Sequence, residues 1–163
     1  MAITTRSEYG MRAMILLAEQ MGDELLSTTE LARRAFIPRK YLEQILRDLK
    51  HANLVTSRAG VNGGYRLARP PRQITAGQIV CVLDKMNIMT CVGPSDKPPC
   101  DHQIGCSLRP LWQRVYAAMN DVLDSTTLEQ LAFNPCLSKQ SALPLADDCA
   151  PGAAASQPVA YQI

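Results

Sequence analysis

No stretch of the chain reaches the roughly 18 consecutive apolar residues that a membrane-crossing helix requires, so no segment reads as transmembrane. The first twenty residues, MAITTRSEYGMRAMILLAEQ, have neither a long apolar core nor a small-residue cleavage site. They do not read as a signal peptide, and a cytoplasmic location is expected. Only two histidines occur, no Ser, His and Asp arrangement suggests nucleophilic catalysis, and there is no phosphate-binding G-x-x-x-x-G-K-[ST] run. The glycines from Gly60 to Gly64 precede a strand and not a helix, so they read as a turn, and an enzyme is not expected. Net charge is also scarce, at +2 over 163 residues, so the whole-chain balance neither demands nor excludes a nucleic-acid partner. No internal repeat is visible.

What is present is unevenly placed. Arg33, Arg34, Arg39, Lys40, Arg47, Lys50, Arg58, Arg66, Arg69 and Arg72 crowd one window opposed by Glu43 and Asp48 alone. With 47% apolar residues, the chain can bury the core of one compact domain and still carry an appendage.

Residues 6 to 21 place Tyr9, Met11, Met14, Ile15, Leu17, Ala18 and Met21 at spacings of three and four, with Thr5 and Glu8 as a capping box, which predicts an amphipathic first helix. Ser27 and Glu30 repeat that start signal for a short second helix through Leu31, Ala32 and Ala35, and a break follows at Phe36-Ile37-Pro38. Pro38 fits the first turn of a third helix whose apolar face is Tyr41, Leu42, Ile45, Leu46 and Leu49. Two helices joined tightly, the second basic at its start, form a helix-turn-helix. Residues 54–57 and 65–67 read as two strands around a glycine turn, which makes a wing. Thr75 caps a fourth helix through Ile79, Val80, Val82 and Leu83. From Ser107 to about Asp124 the stripe Leu108, Leu111, Trp112, Val115, Met119 and Val122 is longer than a terminal helix needs to cover its own domain, so it asks for a partner helix. Thr126 and Glu129 offer a capping box for a last short helix to Phe133.

The expected fold class is mainly α with a small β-hairpin wing, a winged helix-turn-helix plus a long dimerisation helix. The expected divisions are a DNA-binding domain over 1–84, a cysteine loop over 85–106, the long and short terminal helices over 107–133, and a disordered tail over 134–163.

Arg39, Lys40 and Glu43 stand at the start of the recognition helix, placed for phosphates or base edges, and Arg58 and Arg66 would suit phosphate or minor-groove contact from the wing. The alternative reading is a solvated charged helix and a soluble hairpin. Cys91, Cys100 and Cys106 are spaced C-x8-C-x5-C in a segment too rich in Pro and Gly for regular structure. Thiolates are soft ligands that suit zinc or iron-sulfur clusters, and a loop lets three of them converge. Three make an incomplete set, for which His102 and, at a distance, Glu8 are candidate fourth ligands. The alternatives are reduced thiols, or a disulfide formed on oxidation. Cys81 reads as core, and Cys136 and Cys149 as exposed thiols of the tail.

The run YLEQILRDLKHANLVTSRAGVNGGYRLARPPRQITAGQIV, followed by three loop cysteines and a long helix, resembles the Rrf2 family of winged-helix transcription regulators over residues 1 to 133. YLEQ and NGGYRL are the most specific parts, and the three cysteines resemble the cluster-binding members. The resemblance implies a homodimer built on the long helix, a palindromic promoter site in double-stranded DNA, and an iron-sulfur cluster, [2Fe-2S] or [4Fe-4S], on Cys91, Cys100 and Cys106. It implies Arg39, Lys40, Glu43 and Arg58 as DNA-facing residues. Where some cluster-binding members carry a ligand His three residues past the last cysteine, this chain has Arg109, which cannot ligate. Nitric-oxide-sensing members use an acidic residue near the start of the first helix, reaching from the partner subunit, and Glu8 stands at that position. The implied function is a DNA-binding regulator sensing iron-sulfur, redox or nitric oxide status. The alternatives are a thiol/disulfide switch without a cluster, or a zinc-stabilised interaction module.

Overall fold

The computed structural model describes residues 4–20, 24–60, 63–84 and 106–133. Six α-helices lie among them: α1 (Thr5–Ala18), α2 (Thr28–Ala35), α3 (Arg39–His51), α4 (Ala76–Leu83), α5 (Arg109–Ser125) and α6 (Leu128–Phe133). Between α3 and α4 the strands β1 (Val55–Arg58) and β2 (Gly64–Leu67) pair antiparallel, with Val55 opposite Leu67 and Arg58 opposite Gly64. The fold is mainly helical with a small hairpin wing, as the periodicities predict.

The helix-turn-helix forms because α2 and α3 each carry one apolar face. Leu31, Ala32 and Ala35 of α2 and Leu42, Ile45, Leu46 and Leu49 of α3 are buried together against Ala13, Met14 and Leu17 of α1. Ser27 starts α2 by accepting a hydrogen bond from the Glu30 amide at 3.2 Å. Glu30 does not complete a capping box; its carboxylate takes two bonds from Arg33, at 2.9 and 2.6 Å. Pro38 sits one position outside α3, as its N-cap.

The wing is held from two sides. Leu26, just before α2, exchanges backbone bonds with Tyr65 of β2 at 3.0 and 2.8 Å and acts as a one-residue third strand. The Lys50 ammonium at the end of α3 donates to the Ser57 hydroxyl of β1 at 2.7 Å. Of the expected glycine turn, residues 61 and 62 lie outside the described residues; Gly60 takes φ 116°, the Gly63 amide donates to the Gly60 carbonyl at 3.0 Å, and Gly64 belongs to β2.

Two helix starts fall one residue from their expected places. Thr4, not Thr5, caps α1, accepting from the Arg6 amide at 3.2 Å, because Asp84 at the end of α4 binds the Thr4 amide at 2.9 Å and its hydroxyl at 2.6 Å. Glu8 therefore has no capping role. At the other end, Thr127 and Gln130 form the capping box of α6, with bonds of 3.3 and 2.9 Å, while the Thr126 hydroxyl donates to the Val122 carbonyl of α5 at 2.7 Å.

Helix α6 does not continue α5 outward. The Ala76 amide donates to Thr126 and the Leu128 amide to Ile74, both at 2.8 Å, and Leu128 is fully buried in the winged core. Helix α5 itself has no buried residue. Leu108, Leu111 and Val122 are 61%, 52% and 63% exposed, and with Val115 they follow at spacings of three, four and seven along one face.

Candidate nucleic-acid interface

The basic window of the sequence becomes two kinds of residue in three dimensions. Arg34 pairs with Glu19 at 3.7 Å, and Arg33 is held by Glu30. That hydrogen bond, with the nearby positive charges, keeps the Glu30 carboxyl below its ordinary value. Arg6 of α1 takes up Asp48 of α3, so one of the two acids opposing the basic window is spent inside the fold. Lys40, Arg47 and Arg58 are exposed and form no ion pair among the described residues.

Arg39 and Glu43 form an i,i+4 pair, Nε to Oε1 at 3.0 Å, on the outer face of α3. Lys40 lies beside them, and Gln44 and Arg47 continue the exposed face one and two turns on. Inward packing of Leu42, Ile45, Leu46 and Leu49 fixes this direction, so the polar face cannot rotate out of line. The wing brings Arg58 to the same side, and Arg39 and Arg58 share a cleft of about 370 Å³ with Thr28, Thr29 and Ser57. Arg66 is exposed on β2, opposite Thr56.

Gln44, Thr28 and Thr29 are additions to the residues singled out by sequence. An exposed amide on a recognition-helix face can bind adenine in bidentate fashion, and hydroxyls beside cations suit phosphate oxygens. The signal for Gln44 lay in the helical period: it stands four residues after Lys40. The threonines carried no signal, because only the folded wing brings them beside Arg39 and Arg58.

Of the cysteine site, Cys91, Cys100 and His102 lie outside the described residues, as do Cys136 and Cys149. Cys106 is half-buried in the turn that opens α5, where its carbonyl accepts from the Arg109 amide at 3.3 Å. Glu8 is exposed on α1, its Oε1 accepting from Arg12 Nη2 at 2.5 Å. Among the described residues no group of three His, Cys, Asp or Glu side chains is placed to hold a metal ion. The expectation that Cys81 belongs to the core is corrected. Ile79, Val80 and Leu83 fill the inward face of α4, and the Cys81 thiol is exposed in a cleft of about 440 Å³ with Leu54, Gln78 and Asp124. Among the described residues no helix is long and apolar enough to cross a membrane.

The family model for Rrf2, described as an iron-dependent transcriptional regulator, matches residues 3–134. The HTH-type transcriptional regulator CymR of Bacillus subtilis is 39% identical over 132 residues, spanning 81% of this chain and 90% of that protein. Its structure, described as that of the global cysteine regulator, superposes with a TM-score of 0.68 at 38% identity, covering 81% of this chain and 96% of that one. The oxidized form of Staphylococcus aureus CymR gives 0.65 at 35% identity, covering 82% and 97%. IscR of T. potens gives 0.65 at 32% identity, covering 80% and 85%.

Proposed function

The chain belongs to the Rrf2 family of transcriptional regulators, and from that premise we propose that it acts as a homodimer on promoter DNA and reads a thiol redox signal through Cys91, Cys100 and Cys106. It is a DNA-binding regulator and not an enzyme. In this reading Arg39, Lys40, Glu43 and Gln44 meet the major groove, Arg58 and Arg66 meet the backbone beside the wing, and the exposed stripe of α5 joins two copies so that two recognition helices face two half-sites.

The similarity to CymR, one of whose structures is an oxidized form, favours the thiol switch over the cluster. Two loop thiols would join as a disulfide, losing two protons and passing two electrons to a peroxide. Closing such a bridge on Cys106, which opens α5, would pull on the helix that sets half-site spacing.

A second reading, an iron-sulfur cluster on the same cysteines, is supported by the iron-dependent description of the family and by Glu8, whose carboxylate is exposed and free of capping. The donor set counts to four only with Glu8 supplied from the partner subunit or with His102, since Arg109 stays protonated. A bound cluster would supply a centre that changes charge and ligation with oxidant or nitric oxide.

One experiment separates the readings. Protein purified without oxygen is assayed for iron, labile sulfide and visible absorption, then titrated with hydrogen peroxide while DNA affinity is followed. The thiol switch expects neither iron nor sulfide, and about a tenfold change in affinity that dithiothreitol reverses and Cys106→Ser abolishes. Iron and sulfide in near-equal amounts, lost faster in Glu8→Ala with its melting temperature unchanged, would establish the cluster instead.

A further inference from the structure

Phe36 occupies a position that its own chain gives no reason for. It ends α2 in the left-handed conformation, φ 57° and ψ 45°, which strains bulky residues with a Cβ and is normally given to Gly or Asn. The same molecule shows the ordinary solution where α3 ends, at Asn53 with φ 55°. The Phe36 ring does not repay this strain by packing, because it is 85% exposed while its neighbour Ile37 is buried. A bulky aromatic held out at the turn between the two helices of a helix-turn-helix costs stability through the backbone, and its solvated ring contributes nothing to offset that cost.

We propose that Phe36 contacts DNA, laying its ring on the apolar edge of the duplex beside the groove that the start of α3 enters. This rests on the DNA-binding reading and adds a residue that charge patterning does not reveal. The surroundings select the partner. Phe36 lies three residues after Arg33 and three before Arg39, whose side chains are 72% and 63% exposed, with Lys40 next. Both guanidiniums are held by carboxylates, so among the described residues the free cation beside the ring is Lys40, and an exposed ring next to an unpaired ammonium at the start of the recognition helix matches a ligand that alternates apolar and anionic groups. Duplex DNA does so, setting deoxyribose carbons and thymine methyls between phosphates. The strain also has a use there: a left-handed residue turns its side chain out of the turn, in a direction that neither helix could supply.

The test uses the full chain and duplexes that the parent protein itself selects from a random-sequence library. Phe36→Gly and Phe36→Asn both accept the backbone conformation, and Phe36→Tyr keeps the ring. The Gly and Asn variants are expected to melt at or above the parent temperature and to bind about tenfold more weakly. Their slope of log affinity against log salt should be unchanged, because no phosphate contact is removed. The Tyr variant should bind like the parent. Replacing dT by dU in the selected duplex weakens the parent if the ring meets a thymine methyl, and leaves it unchanged if the ring meets deoxyribose. Parental affinity in the Gly and Asn variants would overturn the inference, showing that the ring faces something other than DNA. A melting temperature lower by more than about 4 °C would overturn it by making the ring structural, and loss in Gly but not Asn would do so by making turn stiffness the cause. If the parent selects no duplex at all, the DNA-binding reading falls and takes this inference with it.

Discussion

Asp84 closes α4 through its backbone amide, which donates to the Val80 carbonyl at 2.8 Å, and fastens the start of α1 through its carboxylate, the job that ionisation serves. Burial raises its pKa, but the hydroxyl of Ser7, the hydroxyl and amide of Thr4 and the charge of Arg6 outweigh that and hold it below the ordinary 3.8. A depressed carboxylate contributes stability that is complete above 3.8 and is lost as pH falls through its folded value. Asp84→Ala should therefore cost about 0.5–1 kcal/mol near pH 7, the lower part of the range for a helix cap because water screens the site. Urea unfolding of parent and variant across pH 7 to 2.5 checks this; a difference that stays constant down to pH 2.5 would remove the carboxylate from the argument. Asp84 also shows where reading residues from sequence stops. Thr4 and Thr5 are equal candidates for a cap on local grounds, and the choice is made by a side chain 80 positions away. Cys81 was misread for a similar reason: in an eight-residue helix as apolar as α4 the period is too short to say which positions face outward.

At the scale of elements, the helix-turn-helix was legible because α2 and α3 state their faces in their own residues, every buried position of α3 falling at a spacing of three or four. The wing was legible from its glycines, but the reason for one of them was not. Gly64 lies inside β2 and not in the turn, and a Cβ on it would stand 2.4 Å from the carbonyl oxygen of Leu26 and 2.6 Å from its carbonyl carbon. Backbone cannot yield as a side-chain tip can, so Gly64→Ala must part β2 from Leu26. The expected cost is about 1–3 kcal/mol of stability, with faster hydrogen exchange at the Leu26 and Tyr65 amides. DNA affinity should fall with it, because Arg58 pairs directly across from Gly64 and would lose its place in the cleft with Arg39. An Ala variant with parental exchange rates at those two amides would mean that the third-strand contact does not hold the wing. The destination of α6 was not legible: its residues predict a helix, and only the bond from the Leu128 amide to Ile74 says that it returns to the winged core.

For the whole molecule, the question is what covers α5. A 17-residue helix with no buried residue is unusual in a folded chain, and each leucine or valine of its stripe would gain about 1.5–3 kcal/mol on full burial. The sequence made this stripe visible by its length, and the fold adds that α6 turns back and leaves the stripe bare. Pairing of α5 with α5 of a second copy is the arrangement that also serves the DNA, since two recognition helices at fixed spacing are what a two-half-site operator requires. Leu111→Glu places a charge at the middle of this stripe without touching the winged core. It should leave far-UV circular dichroism unchanged, convert the dimer to a monomer by light scattering, and weaken operator binding about a hundredfold or more. Its salt dependence carries the sharper signature. A monomer neutralises the phosphates of one half-site, so its slope of log affinity against log salt should be about half that of the parent. A Leu111→Glu protein that remains dimeric with the full slope would show that the two copies meet elsewhere, and the signal from Cys106 would then need a route to the recognition helices other than α5.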